Sequence, residues 1–370
     1  MEKSILSKIP AKPDNLINLY LNPYIFLLII EGKVIVWDYK NHVQLEIEEL
    51  YLKRLIQISH GLKVATLSEI DKELLKEKLI QTEAYPAFNW KWDELSKIYH
   101  IGTQDIDGGK SLSEEAWVEW YLELCETIKD DFKNSFIEYV GEEVSLPAPN
   151  LSALQAISLW DVEEQRMTSR SFNGKSITKE QLSTLMYTSF GVIHGNWEEL
   201  QAKGFKQSGY RKSSPSGGAL HPIEAYLIVM NVEEIPAGIY HYNVIKHCLT
   251  LINHSISYDD IRNMLCGQFF AEGCSVGIFL VAHFEKVWTK YCHSRSYKDV
   301  YLDAGHLSQT LLLNTTALGL RTWISAWFRD TEVSRFLKIS GGDVAPVFYI
   351  SIGHGDKVAI SPKLEKILNK

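Results

Sequence analysis

Cysteine is scarce in this sequence: five residues, Cys125, Cys248, Cys266, Cys274 and Cys292, make an odd number with no CxxC spacing. A disulfide framework and a zinc knuckle are both disfavoured. Long apolar runs are missing as well. The longest near the start, Ile25 to Ile30, has six residues, against the roughly 20 needed to cross a bilayer. The opening MEKSILSKIPAKPDN has no apolar h-region of the kind a secretory signal needs. The expectation is a cytoplasmic chain with no membrane contact. Basic charge is not in excess either: 38 Lys and Arg stand against 46 Asp and Glu, a formal net charge of -8. That leaves no chain-wide electrostatic footprint for nucleic acid. Internal repeats and low-complexity tracts are absent.

What is present is an ordinary globular composition over 370 residues, 45% hydrophobic and 23% charged, enough for two or three domains with substantial cores. Aromatic residues are plentiful, with 10 Trp, 18 Tyr and 14 Phe. Such residues fill cores and also bind flat ligands. Residues 1–85 read as a separate unit. Past Pro10 and Pro13, the runs Tyr24 to Ile30 and Lys33 to Trp37 are joined by Glu31-Gly32, the pattern of a hairpin. Two helices are expected next. One covers Glu46 to Ile58 with Leu52, Leu55 and Ile56 on an inner face; the other opens at the N-cap Ser68 and turns Ile70, Leu74, Leu75 and Leu79 inward. A hairpin beside paired helices is the material of a winged helix. DNA binding is not the expected use, because residues 1–100 hold 13 Lys and Arg against 14 Asp and Glu. Peptide capture along an exposed strand edge, or a plain packing role, fits better.

Residues 86–150 read as a helical connecting region rich in Trp and acid (Trp90, Trp92, Trp117, Trp120), with a helix from Ser113 to Phe136 and a linker at Leu146-Pro147-Ala148-Pro149. Residues 151–370 mix helices and β-runs. A helix is capped around Thr178, strands are expected at Tyr226 to Met230, Val276 to Phe284 and Ala345 to Ile352, and Val300 to Leu320 has a long helical pattern. That combination indicates an α+β catalytic domain.

Three stretches of this domain could carry chemistry. Arg166-Met167-Thr168-Ser169-Arg170 spaces two guanidinium groups and a hydroxyl at intervals of two, a donor set suited to a phosphate monoester. A solvated Arg pair is the alternative reading. Arg211 to Pro222 includes Pro215-Ser216-Gly217-Gly218-Ala219-Leu220-His221-Pro222, a glycine loop whose backbone can approach a planar or phosphorylated ligand. It is neither a P-loop nor a GxGxxG fingerprint, and a plain loop is equally compatible. In Trp288 to Arg295, adjacent Lys290 and Tyr291 can transfer protons if their surroundings move their pKa values toward neutrality; otherwise they form a surface pair. The histidines from His283 to His354 show no metal-ligand spacing, so no metal is expected.

In this order and combination, these elements resemble the FMN-dependent nitroreductase-like superfamily, and within it the SagB-type azoline dehydrogenases of thiazole- and oxazole-containing peptide biosynthesis. The resemblance runs from about residue 150 to residue 356 and includes GlyIleTyrHisTyr at 238–242, LDAGH at 302–306 and Leu318-Gly319-Leu320. Lys290-Tyr291, twelve residues before LDAGH, stands where azoline dehydrogenases carry a Lys-Tyr pair that general nitroreductases lack. Met167 occupies a position where the family commonly has a second Arg, and Ala219 one where general nitroreductases often have Asn.

The resemblance implies a nitroreductase-like flavin domain: a mostly antiparallel central sheet flanked by helices, homodimeric, preceded by a winged-helix-like peptide-recognition domain. It implies bound FMN, with phosphate and ribityl contacts from Arg166, Thr168 and Arg170 and further cofactor contacts from Arg211, Pro215, Ser216, Gly217, Gly218, Ala219, Ser325 and Ala326. Lys290 and Tyr291 take the proton-handling role, with Tyr291 removing a ring proton while Lys290 adjusts its acidity. The implied substrate is a ribosomally made precursor peptide, leader and core, already carrying azolines, and a cyclodehydratase is the implied partner. Two alternatives stay open. One is an NAD(P)H-dependent reductase of nitro compounds, quinones or dehydroamino acids; the other is a non-catalytic subunit that binds peptide and scaffolds a partner.

Overall fold

A computed structural model describes residues 16–106, 112–128, 137–195, 197–203, 209–358 and 360–369. The chain divides into two compact units, residues 1–109 and 110–370. The Pro10 and Pro13 entry and the end of the expected helix at 129–136 lie outside the described residues.

In the first unit, β1 (Ile25–Ile30) and β2 (Lys33–Asp38) form the expected hairpin. Glu31 (φ 50°) and Gly32 (φ 79°) supply the two left-handed residues that match the twist of the flanking strands. β3 (Val43–Ile47) extends the hairpin into a three-stranded antiparallel sheet in the order β1-β2-β3. Helices α1 (Glu49–Ser59) and α2 (Glu69–Lys76) follow. Ser68 and Asp71 close a capping box at the start of α2, and Arg54 of α1 grips the same Asp71 with two hydrogen bonds of 2.7 Å each. Leu55, Ile58, Leu74 and Leu79 fill the small core. Ile56, expected inside, is half exposed, because it sits about 200° around the helix from Ile58. The unit continues past residue 85: α3 (Glu94–Gly102) belongs to it, with Gly102 packed on Tyr39. Leu27 and Ile29 of the edge strand β1 are 47% and 79% exposed.

The second unit opens with α4 (Glu114–Ile128) and the short strand β4 (Glu143–Ser145). After α5 (Leu159–Gln165) and α6 (Lys179–Phe190), it is built on β5 (Ile223–Val229), β6 (Gly238–Asn243), β7 (Cys248–Asn253), α7 (Tyr258–Met264) and β8 (Val276–His283). The remainder is α8 (Glu285–Trp288), α9 (Ser296–Ala317), β9 (Arg321–Ser325), α10 (Asp330–Leu337), β10 (Val344–Gly353) and α11 (Pro362–Leu368). Seven strands pair antiparallel in the order β9-β10-β8-β5-β6-β7-β4. The segment expected as a connection is thus divided, its last strand forming an edge of the main sheet.

Side chains alternate across a strand, so both faces of β5 and β8 need cover. Leu227, Val229, Ile278 and Leu280 pack with Leu185 and Met186 of α6 and Leu307 and Leu311 of α9. On the other face, Tyr226, Ile228, Phe279 and Val281 meet Met264 of α7 and Val333 and Leu337 of α10. Burial on both faces explains why β8 reads VGIFLVAH without polar alternation. Only the strand ends remain for chemistry. The α+β class and the antiparallel sheet expected from the sequence are what the structure has. No described helix is long and apolar enough to cross a membrane.

Candidate active site

The chain entering β5 is drawn into a tight turn. Gly217–Ala219 form one turn of 3-10 helix, with left-handed backbone at Gly218 (φ 61°), Ala219 (φ 59°) and His221 (φ 45°). Glycine accepts this conformation freely, whereas Ala and His cost roughly 1–2 kcal/mol each. The surroundings hold them there. Ser216 Oγ donates to Asp303 Oδ2 of α9 at 2.5 Å and accepts from the His221 amide at 2.9 Å. His221 Nε2 lies 2.7 Å from the Tyr210 carbonyl, and Ser214 Oγ 2.8 Å from Thr310 Oγ1.

Lys290 and Tyr291 follow α8 and come to rest on this turn. A Cβ on Gly218 would lie 2.8 Å from Tyr291 Oη and 3.0 Å from Lys290 Nζ, so any larger residue there would push the two side-chain ends away from the turn. Lys290 is 5% exposed, and its ammonium donates to Tyr121 Oη at 3.2 Å. Among the described residues no carboxylate pairs with it. Burial pushes its pKa down, with the Cys125 thiol opposing. Burial pushes the Tyr291 phenol up, and the charges of Asp299, Cys125 and Asp303 add to the effect. The Tyr121 phenol is pushed up to about 12, chiefly by burial. Asp303 is pushed up to about 6 by burial, against the hydrogen bond from Ser216. At this site, therefore, the amine loses its proton more readily than a surface lysine and the phenols keep theirs.

Beneath the turn lies an ion cluster that the sequence analysis did not single out. Glu224, the second residue of β5, has Lys286 Nζ at 2.5 Å and His241 Nε2 at 2.7 Å, with His283 Nε2 at 3.6 Å. All four residues are buried. Burial opposes the charge on Glu224, but Lys286 and the hydrogen bond from His241 hold its carboxyl well below the usual range. Lys212 is buried close by and pushed down to about 7, by desolvation and then by the charge of Lys286. Glu224 precedes the strand expected from the sequence, Tyr226 to Met230; only the burial of Ile223–Val229 at every position shows that this charge demands a cation.

The arginine stretch is elsewhere. Thr168 pairs with Thr322 of β9, and the Ser169 amide donates to the Thr322 carbonyl at 2.8 Å. Ser169 Oγ donates to the Asp356 carbonyl at 3.1 Å, and the Asn173 amide to the His354 carbonyl at 3.0 Å. Gly355 lets the two segments touch, since a Cβ there would strike the Ser171 carbonyl. The pairing brings Arg321 close to Arg166, its guanidinium donating to the Gln165 carbonyl at 3.3 Å, while the Arg170 guanidinium lies 5.9 Å from the centre of the Phe270 ring. These half-buried forks are a donor set that fits a phosphate monoester. Sequence reasoning passed over Arg321, which only the strand pairing brings there.

Ser325 ends the same strand and Ala326 follows it. Ser325 is buried, its hydroxyl accepting from Gln268 Nε2 at 3.1 Å and from the Trp327 amide at 3.0 Å. Ala326 borders a cavity of about 370 Å³ with Tyr301, Ala304, Gly305, Ser308 and Phe348, a volume typical of small-molecule sites. The Arg211 guanidinium lies 5.0 Å from the centre of the Trp197 ring.

The predicted site residues therefore form two groups. Thr168 lies where β9 begins and β8 begins alongside, while the glycine turn and Lys290-Tyr291 lie where β8 ends. Eight residues of strand separate them, roughly 25 Å. The Ala326 cavity also faces away from the turn, because its lining on α9 is centred about 150° around the helix from Asp303. Among the described residues, no cluster of three His, Cys, Asp or Glu is arranged to hold a metal ion.

Comparison with known proteins gives a family match, "Nitroreductase family", over residues 164–354. The nitroreductase-like protein MJ1384 of Methanocaldococcus jannaschii is 26% identical over 200 residues, 54% of this chain and 92% of that one. The trifolitoxin-processing protein TfxB of Rhizobium leguminosarum is 33% identical over 114 residues, 30% of this chain and 31% of that one. The microcin B17-processing protein McbC of Escherichia coli is 28% identical over 144 residues, 37% of this chain and 52% of that one.

Proposed function

This chain belongs to the nitroreductase family, and from that premise we propose that it oxidises thiazoline and oxazoline rings of a ribosomally made peptide to thiazoles and oxazoles, with FMN as cofactor. The observation that carries the reading is the seating of Lys290 and Tyr291 on Gly218. The pair that sets azoline dehydrogenases apart is thereby held against the glycine turn instead of lying loose on the surface. The names of TfxB and McbC, both peptide-processing proteins, support the substrate class.

Arg166, Thr168, Arg170 and Arg321 fit the cofactor phosphate, and Ser325, Ala326 and the adjoining cavity suit its ring system. FMN would supply a two-electron acceptor for the hydrogen that leaves the ring carbon. The chain's own residues handle the proton. Lys290, its ammonium destabilised by burial, takes the ring proton next to the carbonyl, and Tyr291 donates a hydrogen bond that orients the heterocycle. This assignment reverses the roles expected from the resemblance. A phenol raised by burial and by neighbouring aspartates keeps its proton and offers little phenolate to serve as base.

The separation of the two groups of residues supports a homodimer in which the turn and Lys290-Tyr291 of one protomer complete the cofactor site of its partner. Pro215, Ser216, Gly217, Gly218 and Ala219 then act across the interface. The first unit is assigned the leader segment of the peptide, taken along the exposed apolar edge of β1, and a cyclodehydratase is the enzyme that supplies the azolines.

The test is intact-mass analysis of an azoline peptide incubated with the yellow protein. Loss of about 2 Da per ring is the signature of a two-electron oxidation; an unchanged mass rejects the reading. The similarity to MJ1384 over most of its length keeps a second reading in view, a reductase fed by NAD(P)H. Anaerobic bleaching of the flavin by NADPH without peptide would favour it.

A further inference from the structure

α4 precedes the stretch that matches the family, yet it reaches Lys290. Trp117, Tyr121 and Cys125 are spaced four apart and so form one stripe along the helix. Tyr121 Oη accepts the hydrogen bond from Lys290 Nζ, and the Tyr121 ring centre lies 4.8 Å from the same nitrogen. Trp117 stacks on Tyr121 with ring centres 5.3 Å apart and planes within 5°. Cys125 is buried at the inner end of the stripe.

We infer that Tyr121 is a positioning residue of this site, its ring holding the Lys290 side chain against Gly218 and closing it off from water. The inference rests on the reading of Lys290 as the group that accepts the substrate proton. The groups facing the pair come from three elements: Tyr121 and Cys125 from α4, Tyr291 from the turn that carries Lys290, and Asp299 and Asp303 from α9. Both aspartates act on the phenol of Tyr291. The amine answers first to burial and, in the opposite sense, to Cys125, and the Tyr121 ring is part of what buries it. Trp117, half exposed, continues the aromatic surface outward from Lys290.

The test labels the full-length protein with trace acetic anhydride across pH and reads Lys290 acylation by mass spectrometry, a measurement that needs no peptide substrate. The expected midpoint in the wild type lies below the ordinary lysine value of about 10.4. Tyr121→Phe keeps the ring and holds the midpoint low. Tyr121→Ala admits water and raises it by about one unit or more; Tyr121→Leu replaces it if the Ala variant does not fold. An unchanged midpoint in the truncated variant overturns the inference. Azole formation is then assayed on the same proteins. A fall in kcat with little change in KM for the Ala variant, recovered by Phe, is the expected result. If labelling shifts while even the wild type forms no azole, Tyr121 keeps its positioning role and the proposed activity fails. If the wild type forms azole and neither labelling nor kcat responds to Tyr121→Ala, the positioning role fails.

Discussion

Ser216 donates its hydroxyl proton to Asp303 across 2.5 Å, and this bond ties the glycine turn to the first half of α9. The carboxyl it reaches is pushed up to about 6 by burial, against about 3.9 in an unfolded chain. Between those values the folded state holds the extra proton, so this group's contribution to stability falls as pH rises from about 4 through about 6. Asp303→Asn keeps an acceptor for Ser216 and carries no charge. Its melting temperature relative to wild type is expected to be more favourable at pH 8 than at pH 4. Thermal melts at the two pH values check this, and an equal difference at both refutes it.

Gly218→Ala puts a methyl group 2.8 Å from Tyr291 Oη and 3.0 Å from Lys290 Nζ as they now lie, on backbone that Ala adopts at a cost of roughly 1–2 kcal/mol. The pair must move. A displacement of this size is expected to lower kcat about 100-fold, with stability reduced only by the backbone strain. Steady-state kinetics with an azoline peptide, beside a denaturant melt, separates the two effects.

If Lys290 acts as an amine base, kcat rises with pH to a plateau whose midpoint lies below the usual lysine value. Lys290→Arg stays protonated at every accessible pH and is expected to be inactive while still yellow. Tyr291→Phe loses only the donor and should retain the same pH midpoint at a rate about 100-fold lower. A Tyr291→Phe profile that loses the limb altogether would return the base role to the phenol.

Lys286→Met strands Glu224 in a buried site with its strongest partner gone. Breaking a buried pair from one side costs about 3–5 kcal/mol. Glu224→Gln together with Lys286→Met is expected to be more stable than Lys286→Met alone, because no uncompensated charge remains. The deficit of the single variant should narrow as pH falls, since Glu224 then takes up a proton. Urea denaturation of the three proteins at pH 5 and pH 8 measures both effects.

Local signals were legible in the sequence and distant pairings were not. The Glu31-Gly32 turn, the Ser68 and Thr178 caps and the apolar run of β8 each follow from a few adjacent residues. The three chemical stretches were also visible, because glycine, arginine and Lys-Tyr patterns are contiguous. The distant contacts that place each of them are not. Tyr121 meets Lys290 across 169 positions and Glu224 meets Lys286 across 62, distances over which spacing carries no information. Ile56 was misplaced because a helix of eleven residues leaves its inner stripe ambiguous until the partner helix is known. Arg211 stacks on Trp197, a partner fourteen residues upstream that no motif connects to it.

Ala219 and His221 sit in a left-handed backbone basin that residues other than glycine seldom adopt, two residues apart in one turn. Ala219→Gly would release that strain and make the folded protein sturdier or the loop looser, and the second outcome is the one that matters for chemistry. A slack loop visits many shapes, and each visit away from the working one dilutes the fraction of molecules ready to react. Natural selection for a hardier protein and for a faster one would therefore pull this single position in opposite directions.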